Sequence, residues 1–329
     1  MSTLAPTLQA FFTDRLVRQR QASGHTIASY RDAFKLLLTF VEQRTGKSPS
    51  DVDIADLDAP LIGAFLGHLE TDRGNSARTR NARLAAIHSL FRYAALRHPD
   101  DAAVIQRVLA IPPKRFDRAL ITYLTEEEIA ALLAAPDRST WTGRRDHALL
   151  MLACQTGLRA TELTGLTVGD VHLGTGAHVG CLGKGRKQRI TPLTAATVTV
   201  LDAWLAERGG LPTDPLFVTR RGGPLSRDAL ERRLAKYTAT AASSCPTLRE
   251  KKVSPHVLRH SAAMRLLNAG VDTSVIALWL GHEKVASVQV YIHADLTLKE
   301  RALARTAPQD APPGRYRPPD AVLAFLDGL

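Results

Sequence analysis

Between Leu8 and about His98 the apolar positions recur at three- and four-residue steps. Ile27, Tyr30, Phe34, Leu37, Leu38 and Val41 form one run, and Leu84, Ile87, Phe91 and Ala94 another. That is the period of a helix with one buried face, and "RTGKSPSDVD" and "ETDRGNS" read as connections between such helices. About four helices are expected here, making a small all-α unit. Pro112 and Pro113 stop a helix, and "IPPKRFDRALITYLT" reads as a linker. Beyond it, "TEEEIAALLAA" opens a helix with a threonine cap and an acidic first turn. "RRDHALLMLACQTGLRATELTGL" gives a buried helix ending near Gly157, then a second helical start. The period changes in "AHVGCLGKGRKQRITPL", where two short strand-like runs flank a turn rich in Gly and Lys, the pattern of a β-hairpin. Helices resume at about Thr194 and run, with breaks, to about Thr297. The tail "TAPQDAPPGRYRPPDAVLAFLDGL" is a Pro-rich spacer closing on a short apolar helix. The pattern thus predicts a mainly α fold with a small β-sheet. It divides into a helical domain over 1–110, a linker over 111–120, a mixed domain over 121–303 and a tail over 304–329.

A chain of 329 residues has room for two such domains, each with its own core. Charge changes the picture more than length does. With 43 Lys and Arg against 32 Asp and Glu, the net charge of +11 favours a polyanionic partner, either nucleic acid or an acidic membrane face. No basic amphipathic stretch stands out, and no apolar run approaches the ~18 residues of a membrane span, so the membrane is the poorer reading. The three cysteines, Cys154, Cys181 and Cys245, form no CxxC pair and no disulfide framework. A reducing, cytoplasmic compartment is expected.

Several short stretches carry candidate chemistry. Arg78, Arg80 and Arg83 load the start of a helix, where cations oppose the macrodipole. A phosphate or base-edge contact would explain them; a solvated basic face is the alternative. In "SPHVLRHSAAMRLLNAG", Ser254 suits the N-cap and Pro255 the first helical position. His256 and Arg259 then share a face near free backbone N–H groups, an arrangement suited to phosphate. His260, one turn from His256, raises a metal site instead. HVLRH lacks the glutamate of HExxH, however, and puts a permanent cation beside the ion, so no metal is expected. In "CQTGLRATEL" Arg159 has Glu162 three residues on, either as a buried ion pair or as support for a site. Lys184 lies between glycines that allow close approach of a ligand, and Lys187 follows in the same turn. "GKG" is no P-loop, since the required Ser or Thr is missing, and a solvated turn lysine is the plain alternative.

"NAGVDTSVIALWLGH" ends one helix at Gly270, caps the next at Asp272 or Thr273, and offers Gly281 as that helix's terminator, a pattern that also resembles a helix-turn-helix. His282 and Tyr291 are nine residues apart, so a continuous helix would turn them ~900° and face them opposite ways. A break at Gly281, followed by a short helix capped by Ser287, would let both rings aim at one target.

In order these residues read Arg159, Lys184, His256-x-x-Arg259, His282 and Tyr291. From Leu124 to Leu298 the chain resembles the tyrosine recombinase, or phage-integrase-type, family. "TGLRATEL", "GKGRKQRITPL", "SPHVLRHSAA" and "LGHEKVASVQVYIH" each look like one of its catalytic boxes, in the family's order. The N-terminal helical unit resembles, more weakly, the family's core-binding domain. The resemblance implies a two-domain DNA clamp that cuts and rejoins specific DNA sites through a 3′-phosphotyrosyl intermediate, without metal, cofactor or ATP. It makes Tyr291 the nucleophile, Arg159 and Arg259 the phosphate clamp, Lys184 the acid for the leaving 5′-oxygen, His256 a general base and acid, and His282 a phosphate hydrogen-bonder. It also implies four protomers on two paired DNA sites. Lys187 joins Arg78, Arg80 and Arg83 as an expected DNA contact. A type IB topoisomerase and a non-catalytic DNA-binding accessory subunit are the competing readings.

Overall fold

The computed structural model describes residues 3–116, 121–183 and 188–281, and the chain divides into two compact units, Met1–Arg118 and Ala119–Leu329. In the first unit, α1 (Leu4–Ala10) runs on as a π-helix over Phe11–Gln19. It is followed by α2 (Gly24–Thr45), α3 (Ala59–Thr71), α4 (Ala77–Ala94) and α5 (Ala102–Leu109). Ser23, Asp58 and Ser76 cap α2, α3 and α4 by accepting the N–H of Thr26, Leu61 and Thr79. The faces these caps orient bury Phe11, Phe34, Leu37, Val41, Phe65 and Ile87 together. The helical pattern of the sequence ends near His98, yet α5 lies beyond it. Its eight residues add only Ile105 and Val108 to this core, too few for a period to stand out.

The start of the expected linker is tied to this unit. Asn81 on α4 holds the backbone of Lys114 from both sides, its Nδ2 donating to the carbonyl at 2.8 Å and its Oδ1 accepting the N–H at 2.9 Å. Lys114 Nζ reaches Glu70 at 3.0 Å, and the Arg78 guanidinium lies over the Phe116 ring, 5.3 Å from its centroid.

The second unit contains α6 (Glu126–Ala134), α7 (Trp141–Thr156) and the short α8 (Ala160–Thr164). A three-stranded antiparallel sheet follows, made of β1 (Val171–His172), β2 (His178–Leu182) and β3 (Gln188–Pro192) in that order. The expected hairpin is β2–β3, and β1 extends it by one strand. Val179 and Cys181 of β2 face Thr191 and Arg189 of β3 on the core side, while Leu182 and Ile190 point outward. Helices α9 (Ala195–Arg208), α10 (Arg227–Ala241), α11 (Pro255–Asn268) and α12 (Thr273–Leu280) complete the described part of the unit.

Helix α7 runs through the middle of this unit and is buried along most of its length. It carries a buried ion pair, Arg145 with Asp146, each 1% exposed. Such a pair is tolerable only when its remaining polar atoms are satisfied. Here Asp146 also accepts from Arg233 Nε and Tyr237 Oη, and Arg145 donates to the Val218 carbonyl. Among the described residues no helix is long and apolar enough to cross a membrane.

Candidate functional site

Two helices of the second unit end on glycines in the left-handed region: α7 at Gly157 and α12 at Gly281, both with φ of +63°. A helix C-terminus leaves carbonyls without N–H partners and carries the negative end of the dipole, so it attracts cations. Two arginines answer. Arg259 on α11, only 2% exposed, donates from Nη1 to the Gly157 carbonyl at 2.8 Å and from Nη2 to the Leu280 carbonyl at 2.5 Å. Arg159, two residues past the end of α7, donates from Nη2 to the Gly281 carbonyl at 3.1 Å. Both helix ends therefore fix guanidinium groups through main-chain atoms.

Glu162 fixes Arg159 a second time. Its Oε1 accepts from Arg159 Nη1 and its Oε2 from the Arg159 backbone N–H, both at 2.8 Å. The same carboxylate accepts a fork from Arg189 on β3, at 3.3 Å on Oε1 and 2.8 Å on Oε2. Burial pushes the Glu162 carboxyl up, but the Arg189 hydrogen bond and the Arg159 N–H outweigh it and hold it below the usual carboxylate range.

Helix α11 begins beside these groups. The Ser254 hydroxyl accepts the Val257 N–H, Pro255 opens the helix, and His256 stands in its first turn. Arg159, Arg259 and His256 line one cleft of about 290 Å³, together with Thr161, Arg227 and Glu231. The His256 ring meets His260 edge to face, with centroids 4.2 Å apart. Partial burial, then the charges of Arg259 and Arg159, lower the pKa of His256 below the ordinary histidine value. That shift favours the neutral imidazole, the form that can accept a proton. Two fixed cations and a neutral imidazole on one cleft suit a phosphate, for which a planar guanidinium gives bidentate recognition. Among the described residues no group of three or more His, Cys, Asp or Glu side chains is placed to hold a metal ion.

Of the candidates from sequence, the structure brings Arg159, His256 and Arg259 together. Lys184, Lys187, His282, Tyr291, the cap position Ser287 and the tail helix lie outside the described residues. Arg78, Arg80 and Arg83 stand on α4 of the first unit. Arg78 stacks on Phe116. Arg80 is 13% exposed, facing Glu70 and the Pro112 carbonyl. Arg83 keeps a buried Nη1 with no hydrogen-bond partner among the described residues, and burial, then Arg73, lowers its pKa. Arg189 was not singled out from sequence. Strand alternation was the available signal, because it sets Arg189 opposite Cys181 on the face that also buries Val179 and Thr191.

Comparison with known proteins finds matches over most of the chain. Residues 122–297 match the model of the Phage integrase family, and residues 10–98 that of the Phage integrase N-terminal SAM-like domain. The chain is 54% identical to the integrase/recombinase y4rC of Sinorhizobium fredii, over 100% of this chain and 99% of that protein. It is 32% identical to the tyrosine recombinase XerC of Pelobacter propionicus, over 90% of this chain and 93% of that one. Among solved structures, the XerH site-specific recombinase bound to its difH substrate before cleavage superposes with a TM-score of 0.64 at 25% identity. That match covers 87% of this chain and 81% of XerH. A lambda integrase tetramer on a Holliday junction gives 0.62 at 20% identity over 88% and 77%, a likeness of fold.

Proposed function

The chain belongs to the phage integrase family of tyrosine recombinases, and from that membership we propose that it cuts and rejoins double-stranded DNA at specific sites through a 3′-phosphotyrosyl intermediate. Its enzyme class is that of a site-specific DNA recombinase. The observation that carries the chemistry is the cleft where Arg159 and Arg259, held by helix-end carbonyls, stand beside a neutral His256. Charge that develops on a phosphate in the transition state is best met by donors held in place, and helix-end carbonyls with Glu162 hold these two guanidinium groups.

On this reading the Tyr291 oxygen attacks the scissile phosphorus, the P–O bond to the 5′-oxygen breaks, and Lys184 gives that oxygen a proton. His256 takes the phenol's proton, since a phenol with an ordinary pKa near ~10 attacks poorly without a base. His282 hydrogen-bonds the phosphate. Attack by the freed 5′-hydroxyl of a partner strand reverses the step and releases Tyr291. The bond energy stays in the phosphotyrosyl link, so ATP is not required, and Arg159 and Arg259 meet the developing charge in the place of a metal ion.

The helical domain over 1–110 and the catalytic domain over 121–303 grip the duplex as a clamp, with Arg78, Arg80, Arg83 and Lys187 on the phosphates, and four protomers assemble on two paired sites. The protein works in the cytoplasm, at the nucleoid. The deciding experiment is a nicked duplex that traps the intermediate. Wild type should form a denaturant-resistant protein–DNA adduct, and Tyr291→Phe should bind the same DNA and form none. An adduct persisting in Tyr291→Phe would overturn the assignment.

A further inference from the structure

We propose that Arg189 is a positioning residue of the anion site: it holds Glu162 so that this carboxylate can orient Arg159 without neutralising the charge Arg159 presents. The proposal rests on the reading of the cleft as a phosphate site. Glu162 fixes Arg159 through two hydrogen bonds, which is useful geometry bought with an opposing charge. A carboxylate in direct contact cancels most of the field of its guanidinium at a nearby anion. Arg189 removes that difficulty. Its Nη1 and Nη2 bond the two Glu162 oxygens, so Arg159, Glu162 and Arg189 together carry one net positive charge instead of none.

Three further observations fit a residue that acts through another. The Arg189 side chain is 9% exposed and is not among the residues lining the cleft, so it does not touch the anion itself. With its two bonds added, Glu162 accepts four hydrogen bonds, the full capacity of a carboxylate, and cannot rotate without breaking them. Arg189 also lies against the turn whose carbonyl holds Arg159, since a Cβ built on Gly281 would come 2.5 Å from Arg189 Nη1. Strand β3, the Arg159 segment and the end of α12 therefore meet at one guanidinium.

A staple for the fold and a keeper of charge predict different behaviour when both partners are removed. Arg189→Gln takes the cluster from one positive charge to none. Adding Glu162→Gln restores it while leaving the ion pair absent. Inorganic phosphate titrated into the free protein, followed by the imidazole NMR signals of His256, should bind about tenfold more weakly to Arg189→Gln, and the double variant should recover most of that loss. Single-turnover cleavage of the nicked duplex should fall about 100-fold in Arg189→Gln, the scale of losing one preorganised stabilising group, with DNA affinity nearly unchanged. The double variant should regain at least about tenfold of this. Arg189→Lys keeps the charge and loses the fork, and should bind phosphate within about threefold of wild type. It decides the matter if the glutamine variant does not fold.

Unchanged phosphate affinity in Arg189→Gln overturns the proposal. So does a double variant no better than the single one, or a tenfold loss in Arg189→Lys. A wild-type protein that binds phosphate as described yet never forms an adduct would instead overturn the recombinase chemistry and leave the role of Arg189 standing.

Discussion

Replacing Gly157 by alanine should cost the second unit far more than its one methyl group suggests. Gly157 ends α7 with φ at +63°, a conformation that costs a residue with a Cβ about 1–2 kcal/mol. The new Cβ would also lie 2.9 Å from Leu280 Cδ2 and 3.1 Å from Ala262 Cβ. Both neighbours are core residues, Leu280 fully buried and Ala262 nearly so; Leu280 would have to change rotamer inside a filled core, and the Ala262 Cβ cannot retreat without moving α11. Overpacking of this kind costs about 1–3 kcal/mol, so a total of about 2–5 kcal/mol follows. Gly270 supplies the control. Its φ is +80°, and nothing lies within 4 Å of an added Cβ, so Gly270→Ala isolates the backbone cost. The chain's three tryptophans, Trp141, Trp204 and Trp279, all fall in the second unit, so urea unfolding read by tryptophan fluorescence reports on that unit alone. Gly157→Ala should lose at least about 1 kcal/mol more than Gly270→Ala, the low end of the overpacking range. It should also lose cleavage activity, because the Gly157 carbonyl anchors Arg259. Equal destabilisation by the two substitutions would refute the reasoning, since crowding at the meeting of α7, α11 and α12 would then contribute nothing.

Four other expectations can be checked as directly. The Glu162 carboxyl is held below its ordinary value in the folded chain, so its contribution to stability is present above the unfolded value near ~4.3 and disappears as pH falls through the folded one. Glu162→Gln should flatten that part of the acid limb of thermal stability, and an unchanged limb would exclude the linkage. If α4 contacts DNA, Arg80→Ala and Arg83→Ala should each reduce the log–log salt slope of binding by about 0.9, and unchanged slopes and affinities would remove that helix from the interface. Asn81→Ala deletes both hydrogen bonds to the Lys114 backbone, worth about 1 kcal/mol each, and should speed tryptic cleavage after Lys114 by an order of magnitude or so; an unchanged rate would mean those bonds do not hold the segment. Deleting residues 320–329 should leave single-site DNA binding intact while weakening cooperative binding at paired sites and recombination, because the short apolar helix expected from the sequence there would need a surface to dock on. Full cooperativity after the deletion would make the tail dispensable.

Local signals carried much of this fold and site, and the limit of each was physical. Caps and terminators act within a few residues, so Ser254, Asp272, Gly157 and Gly281 were readable and take up those positions. The Arg159–Glu162 contact spans three residues and was legible for the same reason. Arg189 reaches Glu162 across 27 residues of sequence, a distance set by how β3 packs and not by any spacing. Helix α5 was signalled only by the prolines that stop it, because eight residues with two buried positions do not establish a period, and β1 escaped because a two-residue strand shows no alternation. The linker reading rested on Pro112, Pro113 and the charge that follows them. Nothing local reveals that Asn81, 33 residues earlier, holds the Lys114 backbone.

The two glycine-ended helices also bear on how such a site can change over generations. A side-chain acceptor can be lost in a single base change, whereas the carbonyls of Gly157, Leu280 and Gly281 belong to every residue type that could occupy those positions. The arginine cradle is thus insulated from drift along the outer faces of α7 and α12, where substitution alters no acceptor. Its vulnerability lies in the bends that aim those carbonyls and in Glu162, the side-chain acceptor that also holds Arg159. Substitution at the exposed positions of those helices can remodel the surrounding surface while the three carbonyls, and the arginine contacts they make, stay in place.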